Sequence, residues 1–322
     1  MVLKTSEYSR NTSAALKRLV SDTFDPDYIT LLEGGAEVNT ALLSCRFGHI
    51  FFTGSPRVGR LVMKAAAEHL TPVTLELGGK SPAIVDETAA VPLAARRIMW
   101  GKLINAGQTC VAPDYVLCDS RVKEELLGEL VRLTRELYGD DPIHNPEYCR
   151  IINRDHFHRL QALLSDGEVV LGGGCDEALQ KIEPTILRNV PPDSPVMRDE
   201  IFGPILPVLE YKTFSEAVDF VKSREKPLAL YLFTSDPQRE QRVVNEVPFG
   251  GGCINDTVVH LTNPNLGFGG VGESGMGAYH GRRGFETFSH EKSVLKKSTR
   301  VDIAMRYPPY QDRLSQIKKL MK

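Results

Sequence analysis

The chain has 322 residues, of which 42% are hydrophobic and 25% charged, with a formal net charge of −2. Those are globular values for a chain of about two domains, and they exclude collagen-like, disordered and low-complexity classes. The balance of 39 Lys and Arg against 41 Asp and Glu lacks the basic excess of a nucleic-acid binder.

The chain opens on Val2-Leu3-Lys4, which reads as the end of a buried strand. A helical pattern over 12–21, a strand over 29–32 and a helix over 37–44 follow. The strand at 49–52 runs into Gly54-Ser55-Pro56-Arg57-Val58-Gly59 and a helix over 57–69. Ser55 is placed to cap that helix, with Pro56 at its first position. A glycine at this junction lets backbone approach a ligand, and the helix N-terminus suits a phosphate. Read alone, the segment is either such a site or a tight turn.

A strand at 73–75 ends on Glu76-Leu77-Gly78-Gly79-Lys80. Ligand sites of α/β folds form at such strand ends. Glu76 is a general base if burial raises its pKa, or else a solvated carboxylate in a turn. A strand at 83–85 and a helix at 90–104 lead to the small-residue loop 105–113, which carries Cys110 before a strand at 115–118. A cysteine in an accessible loop is a candidate nucleophile, since its thiolate is the reactive form. The other cysteines, 45, 118, 149, 175 and 253, fit the role of small hydrophobes. No C-x-x-C pair is present, so a reducing, cytosolic compartment is expected.

Helices over 121–138 and 154–164 precede Glu200-Ile201-Phe202-Gly203-Pro204 and a strand at 205–209. A carboxylate there can hold ribose hydroxyls and the ring can press on a planar cofactor; core packing beside a surface acid is the plain alternative. Thr213 and Glu216 form a capping box for a helix at 214–224. A strand at 229–233 is followed by Asp236-Pro237 and a helix at 237–246. The string 270–275 fits G-x-G-x-x-G by letter, but a dinucleotide fingerprint needs a strand before it and a helix after it. Loop on both sides is expected here. No histidine pair has metal-ligand spacing, G-x-S-x-G is absent, and no metal is expected. The basic run around Lys296, Lys297 and Arg300 reads as a solvated end. No apolar stretch reaches the roughly 18 residues of a membrane span, and no signal-peptide order is seen. Strands alternating with helices predict an α/β fold with largely parallel sheets.

Together these segments resemble the aldehyde dehydrogenase superfamily, closest to its class 3 branch of fatty and aromatic aldehyde dehydrogenases. The strings that carry the resemblance are Thr71-Pro72-Val73-Thr74-Leu75-Glu76-Leu77-Gly78-Gly79-Lys80 and Gly107-Gln108-Thr109-Cys110-Val111-Ala112-Pro113-Asp114-Tyr115. The 200–204 segment, Phe268-Gly269-Gly270-Val271-Gly272 and Arg306-Tyr307-Pro308-Pro309 extend it in the same order.

The resemblance implies an aldehyde dehydrogenase-like fold: a truncated Rossmann-type dinucleotide-binding part over 1–79, an α/β catalytic part over 80–290, and a tail over 291–322. It implies Cys110 as nucleophile and Glu76 as general base. Gly54 and Ser55 would approach an NAD or NADP cofactor, with Gly59 packed in the first turn of the helix. Lys4 and Glu7 look like the family's adenosine-ribose holders, although Thr5 stands where the family has proline. Glu200 would hold the nicotinamide ribose and Phe202 would pack by the ring. Asn255 matches a structural asparagine. The implied reaction is oxidation of medium-chain, long-chain or aromatic aldehydes to acids through a cysteine thiohemiacetal and thioester. A cytosolic homodimer is expected.

Relatives are expected to carry roughly 130 further residues before Val2, including an asparagine that donates to the oxyanion. Loss of one such donor typically costs about 10²–10³ in turnover. Without the first strand of that domain, strands 2–3 and 49–52 are expected to lack a common neighbour. The alternative implied by that difference is a non-catalytic scaffold. A further one is a cofactor-independent thiol esterase using Cys110.

Overall fold

The computed structural model describes residues 1–310 and 313–321. It divides into two compact units, Met1–Phe288 and Ser289–Lys322.

The first unit begins with β1 (Val2–Lys4), α1 (Arg10–Thr23), β2 (Thr30–Leu32), α2 (Ala36–Leu43), β3 (Ile50–Gly54), α3 (Pro56–Ala67) and β4 (Val73–Leu77). β1 pairs in parallel with β2, Leu3 opposite Leu31, and β3 pairs in parallel with β4, Phe52 opposite Leu75. Among the described residues no ladder joins the two pairs, as the expected strand order requires. α3 starts where the sequence places it: Pro56 occupies its first turn and the Ser55 hydroxyl accepts from the Val58 N–H at 3.4 Å. The helix lies close on β4 because Gly59 has no side chain; a Cβ there would stand 2.7 Å from Leu77 Cδ2. Val62, Leu75 and Leu77 form the small core between them.

The larger layer follows. Its elements are β5 (Pro82–Val85), α4 (Val91–Leu103), β6 (Tyr115–Asp119), α5 (Lys123–Tyr138), α6 (Arg154–Leu163), β7 (Glu168–Leu171), β8 (Cys175–Asp176), β9 (Lys181–Ile182), β10 (Thr185–Arg188), β11 (Ile205–Tyr211), α7 (Phe214–Lys222), β12 (Ala229–Phe233), α8 (Pro237–Glu246), β13 (Gly251–Ile254), β14 (Gly275–Met276) and α9 (Gly281–Thr287). Seven strands form one sheet in the order β13-β12-β5-β6-β11-β10-β7, parallel except for β7. β5, β6 and β12 are buried along their whole length, which is why they read as unbroken apolar runs rather than as alternation. Successive residues still face opposite ways. Ala83, Val85 and Val116 join Ile98 and Leu130 of α4 and α5 on one face. Ile84, Leu117 and Leu232 join Phe157, Val218 and Val243 of α6, α7 and α8 on the other.

The predicted caps form, except that the return bond of the Thr213 box comes from Lys212, one residue before the cap, rather than from Thr213 itself. The Thr213 hydroxyl accepts from Glu216 N–H at 3.4 Å, and the Glu216 carboxylate takes the Lys212 N–H at 2.9 Å. Asp236 accepts from Gln238 N–H at 2.8 Å. One expectation is corrected. The string 270–275 is not flanked by loop on both sides: it turns through a short 3-10 segment, Gly272–Ser274, straight into β14, which pairs antiparallel with β4. Glycine makes that approach possible, since a Cβ on Gly275 would meet the Leu75 carbonyl oxygen at 2.2 Å. The second unit carries a short helix, α10 (Leu314–Leu320).

A glycine-dependent seam closes the large sheet at β13. A Cβ on Gly252 would sit 1.9 Å from the Leu230 carbonyl oxygen of β12. Gly252→Ala is therefore expected to cost about 1–3 kcal/mol through overpacking, read as a lower urea midpoint at unchanged slope.

Candidate active site

α4 does not pass smoothly into the loop after it. Asn105, Ala106 and Gly107 all take positive φ, at 52°, 51° and 75°. Two consecutive non-glycine residues in that region persist only when the surroundings over-determine them. Gln108 supplies much of that restraint. Its side-chain amide donates to the carbonyls of Asn105 at 3.0 Å and Arg150 at 3.1 Å, and its oxygen accepts from Ile152 N–H at 2.9 Å. Asn105 returns a bond to the Gln108 carbonyl at 3.1 Å. Beyond Cys110, the Tyr231 hydroxyl donates to the Val111 carbonyl at 2.5 Å, and Asp114 N–H donates to Ser81 at 2.8 Å. Cys110 is thus held half-buried at the tip of a fixed loop.

Burial pushes the Cys110 thiol up to about 11, with the Glu200 and Glu76 charges adding to the rise. The backbone amides of Cys110 and Val111 oppose it. Both carboxyl groups named from the sequence therefore lie close enough to act on the sulfur. Glu76, on β4, is 4% exposed and neither of its oxygens has a hydrogen-bond partner. Burial raises its pKa to about 8, so at neutral pH it is a protonated acid that becomes a base on mild alkalinisation. The Tyr279 phenol is raised by burial and by the same Glu76 and Cys110 charges.

Glu200 folds over the double glycine after Glu76. A Cβ on Gly78 would stand 1.9 Å from Glu200 Oε2, so only glycine admits the carboxyl group there. Phe202 has φ 49°, and a Cβ on Gly203 would meet Leu160 Cδ2 at 2.4 Å. Arg159 of α6 holds this segment by donating to the carbonyls of Glu200 at 3.3 Å and Ile201 at 2.5 Å. A buried ion pair anchors it from the other side. Lys80 pairs with Asp114 and also donates to the carbonyls of Val196 at 2.8 Å and Asp199 at 3.0 Å. Asp114 uses its second oxygen to accept from Ile201 N–H at 3.0 Å.

Of the residues expected to meet the far end of a cofactor, Gly54 pairs opposite Leu77 in the β3–β4 ladder, one residue past Glu76, whereas Lys4 ends β1 and Glu7 follows it. Gly54 ends β3 and Ser55 caps α3, presenting the free N–H groups of a 12-residue helix. Lys4 lies 3.7 Å from Glu7 and donates to the Gly34 carbonyl at 3.0 Å. Neither is bonded to the Cys110 cluster. Asn255, at φ 58°, exchanges two side-chain bonds with the Thr234 backbone, at 2.9 and 2.8 Å, a structural role. The sequence offered no reason to single out Gln108, Asp114, Arg159 or Tyr231. Lys80, Gln108 and Asp114 stood in quoted strings without a role, and Tyr279 stood in none. Among the described residues, no group of three His, Cys, Asp or Glu is arranged to hold a metal.

The family model described as the aldehyde dehydrogenase family matches residues 1–294. The chain is 51% identical over its whole length to 4,4'-diaponeurosporen-aldehyde dehydrogenase of Staphylococcus aureus, spanning 70% of that protein. It is 48% identical over 96% of its length to the mouse (Mus musculus) aldehyde dehydrogenase named dimeric and NADP-preferring, spanning 69% of it. The substrate-bound structure of Staphylococcus aureus AldH superposes with a TM-score of 0.95 at 51% identity, covering all of this chain and 70% of that one. The chain thus spans about two thirds of the length of these relatives.

The Lys80–Asp114 pair is 9% and 4% exposed at its side chains. Removing one partner strands a buried charge, so Lys80→Met is expected to cost about 3–5 kcal/mol. Urea unfolding measures it; a change below about 1 kcal/mol would show that the pair holds nothing in place.

Proposed function

This chain belongs to the aldehyde dehydrogenase family, and from that premise we propose that its site oxidises aldehydes to carboxylic acids through a covalent bond to Cys110, with NAD or NADP as co-substrate. One observation carries the proposal: a half-buried thiol, at the tip of a fixed loop, feels the charge of a buried, unpartnered carboxyl group from a different element. As the Cys110 sulfur bonds to the aldehyde carbon, the S–H bond and the carbonyl π bond break and the proton passes to the carbonyl oxygen, giving a thiohemiacetal. The backbone amides of Cys110 and Val111, which already favour negative charge on the sulfur, are the groups at hand to stabilise the charge that develops. With a nicotinamide held there, the thiohemiacetal would give up its carbon-bound hydrogen as hydride and its hydroxyl proton to water, becoming a thioester. Water, deprotonated by Glu76, then releases the acid. Splitting the reaction into two steps lowers each barrier.

The residues present fit a dinucleotide. The orphaned Glu200 Oε1 is an open acceptor for the nicotinamide ribose, with Phe202 beside the ring. The α3 N-terminus behind Gly54 and Ser55 suits a pyrophosphate, with Gly59 keeping that helix close to β4. Lys4 and Glu7 would hold the adenosine ribose. When bound, the nicotinamide supplies the hydride acceptor. On this reading residues 1–79 form the cofactor-binding part, 80–290 the catalytic part and 291–322 a tail.

For substrate we infer medium-chain, long-chain or aromatic aldehydes. The support is the apolar surround of the thiol: Cys110, Leu261 and Tyr279 pack on the same core cluster as Tyr231 and Phe268. A homodimer is proposed from the name of the mouse relative. A cytosolic location accords with six unpaired cysteines.

NAD(P)H formation from a medium-chain aldehyde tests the proposal, with Cys110→Ala as blank. That variant is expected to lose dehydrogenase and esterase turnover together; surviving ester hydrolysis would move the nucleophile elsewhere. Glu76→Gln is expected to keep a first-turnover burst while steady turnover falls about 10²–10⁴-fold. Because the base is the ionised form of a group titrating near 8, thioester hydrolysis should rise with pH up to about 8 and level off above it. A flat pH profile from 6 to 9 would remove Glu76 from that step.

A further inference from the structure

A tyrosine buried whole needs a partner for its hydroxyl, and the partner it takes is thereby held. Tyr231 lies in the middle of β12 and is wholly buried. Its neighbours Leu230 and Leu232 face the α6, α7 and α8 side, whereas Tyr231 joins the core shared with α4 and α5. It stands opposite Ala83 of β5 and Cys253 of β13, two small side chains beside which a large ring fits. From there its hydroxyl donates at 2.5 Å to the Val111 carbonyl, one residue past Cys110.

The bonded carbonyl is half of a peptide unit that closes the Cys110 turn. Cys110 and Val111 are the central pair of four residues, and Ala112 N–H closes the turn by donating to the Thr109 carbonyl at 3.0 Å. The Val111 C=O and the Ala112 N–H are opposite ends of one planar unit. Thr109 holds the N–H end and Tyr231 the C=O end, so the plane cannot rotate without breaking both bonds. The bonds made by the Asn105 and Gln108 side chains restrain the backbone upstream of Cys110. Downstream, the next tie to the sheet is Asp114 N–H on the Ser81 carbonyl. Among the described residues, Tyr231 is the side chain that fastens the stretch between Cys110 and Asp114 to the sheet. The N–H groups of Cys110 and Val111 take no part in closing the turn, and both favour charge on the sulfur.

We propose that Tyr231 is a positioning residue for Cys110: by pinning the 111–112 peptide unit from within the sheet, its hydroxyl keeps the turn closed and the two amides directed at the sulfur. It acts through Val111 rather than on the sulfur itself. The inference deepens the proposed function and rests on Cys110 as its nucleophile. Tyr231→Phe keeps the ring and removes only the hydroxyl. The Val111 carbonyl is then buried without a donor, which is costly. The peptide unit turns to find one, Ala112 leaves Thr109, and the amides leave the sulfur. Alkylation follows thiolate character, so it slows. Tyr211 supplies a matched control. It is a buried tyrosine of β11 in the same sheet, and its hydroxyl donates to a backbone carbonyl, that of Val85, at 3.1 Å.

The test alkylates the full chain with iodoacetamide and follows the Cys110 peptide by mass spectrometry, which separates it from the other cysteines. In Tyr231→Phe, alkylation of Cys110 at pH 8 is expected to slow about tenfold. Hydrogen exchange at the Ala112 amide should speed up by a similar factor. Tyr211→Phe is expected to leave both rates within twofold. Slowing of less than threefold at Cys110 in Tyr231→Phe, faster alkylation, or an equal slowing in Tyr211→Phe overturns the proposal. The unsubstituted chain gives an arm that needs no variant to fold. Its Ala112 amide should exchange within tenfold of the Asp114 amide, and faster exchange than that means the turn is not pinned. Alkylation requires neither aldehyde nor cofactor. Failure of the dehydrogenase reading would therefore appear separately, as no Cys110-dependent NAD(P)H formation with these rates as expected.

Discussion

Three loops of the site meet at one buried ion pair. Lys80 follows the double glycine that extends from Glu76, and Asp114 closes the loop that carries Cys110. Through Ile201 N–H and the carbonyls of Val196 and Asp199, the same two side chains seize the segment that carries Glu200. None of these loops is adjacent to another in the chain. Their relative placement is therefore a tertiary matter, and a charge pair with its remaining donors and acceptors filled is well suited to it. Its value lies less in net stability, which desolvation largely offsets, than in admitting only one arrangement.

Burial then sets the chemical state of what the pair assembles. Glu76 and Glu200 are pushed toward the protonated form, Cys110 toward the thiol and Lys102 toward the free amine. One cause, removal from water, disfavours every charge in turn. At neutral pH the two carboxyl groups carry protons and the Cys110 thiol is unionised. This resting state also limits mutual repulsion, since two carboxylates and a thiolate together would be self-defeating at such close quarters.

How much of this was legible in the sequence depends on the range of the interactions. Caps and strand runs are local, so Ser55, Thr213 and Asp236 could be placed from spacing alone, and the fully buried strands announced themselves as unbroken apolar stretches. The separation of the β1–β2 and β3–β4 pairs followed from strand order. Cys110, Glu76 and Glu200 were found as candidates because glycines or small residues beside them opened the backbone; their roles came from resemblance. What stayed hidden is long-range. β7 and β10 are four-residue strands without a distinctive pattern. β14 depends on Gly275, which is needed because the Leu75 carbonyl stands where a Cβ would go. Lys102 reads as an ordinary lysine near a helix end, where a cation is expected in water. Nothing within a few residues of it says that the side chain is sealed inside, and the same is true of Arg159 and Gln108.

The left-handed turn before Cys110 has a bearing on how such a site can be moved or rebuilt. Asn105 and Ala106 do not adopt their conformation by preference; Gln108, Arg150, Ile152 and the backbone at Gly203 impose it. A peptide copying 105–113 would relax to ordinary backbone angles and lose the presentation of the thiol. The Cys110 loop is consequently not a transplantable module. Its conformation belongs to the α6 approach and the Gly203 strand entry as much as to its own residues, so any scaffold meant to receive it must supply those neighbours before it receives the cysteine.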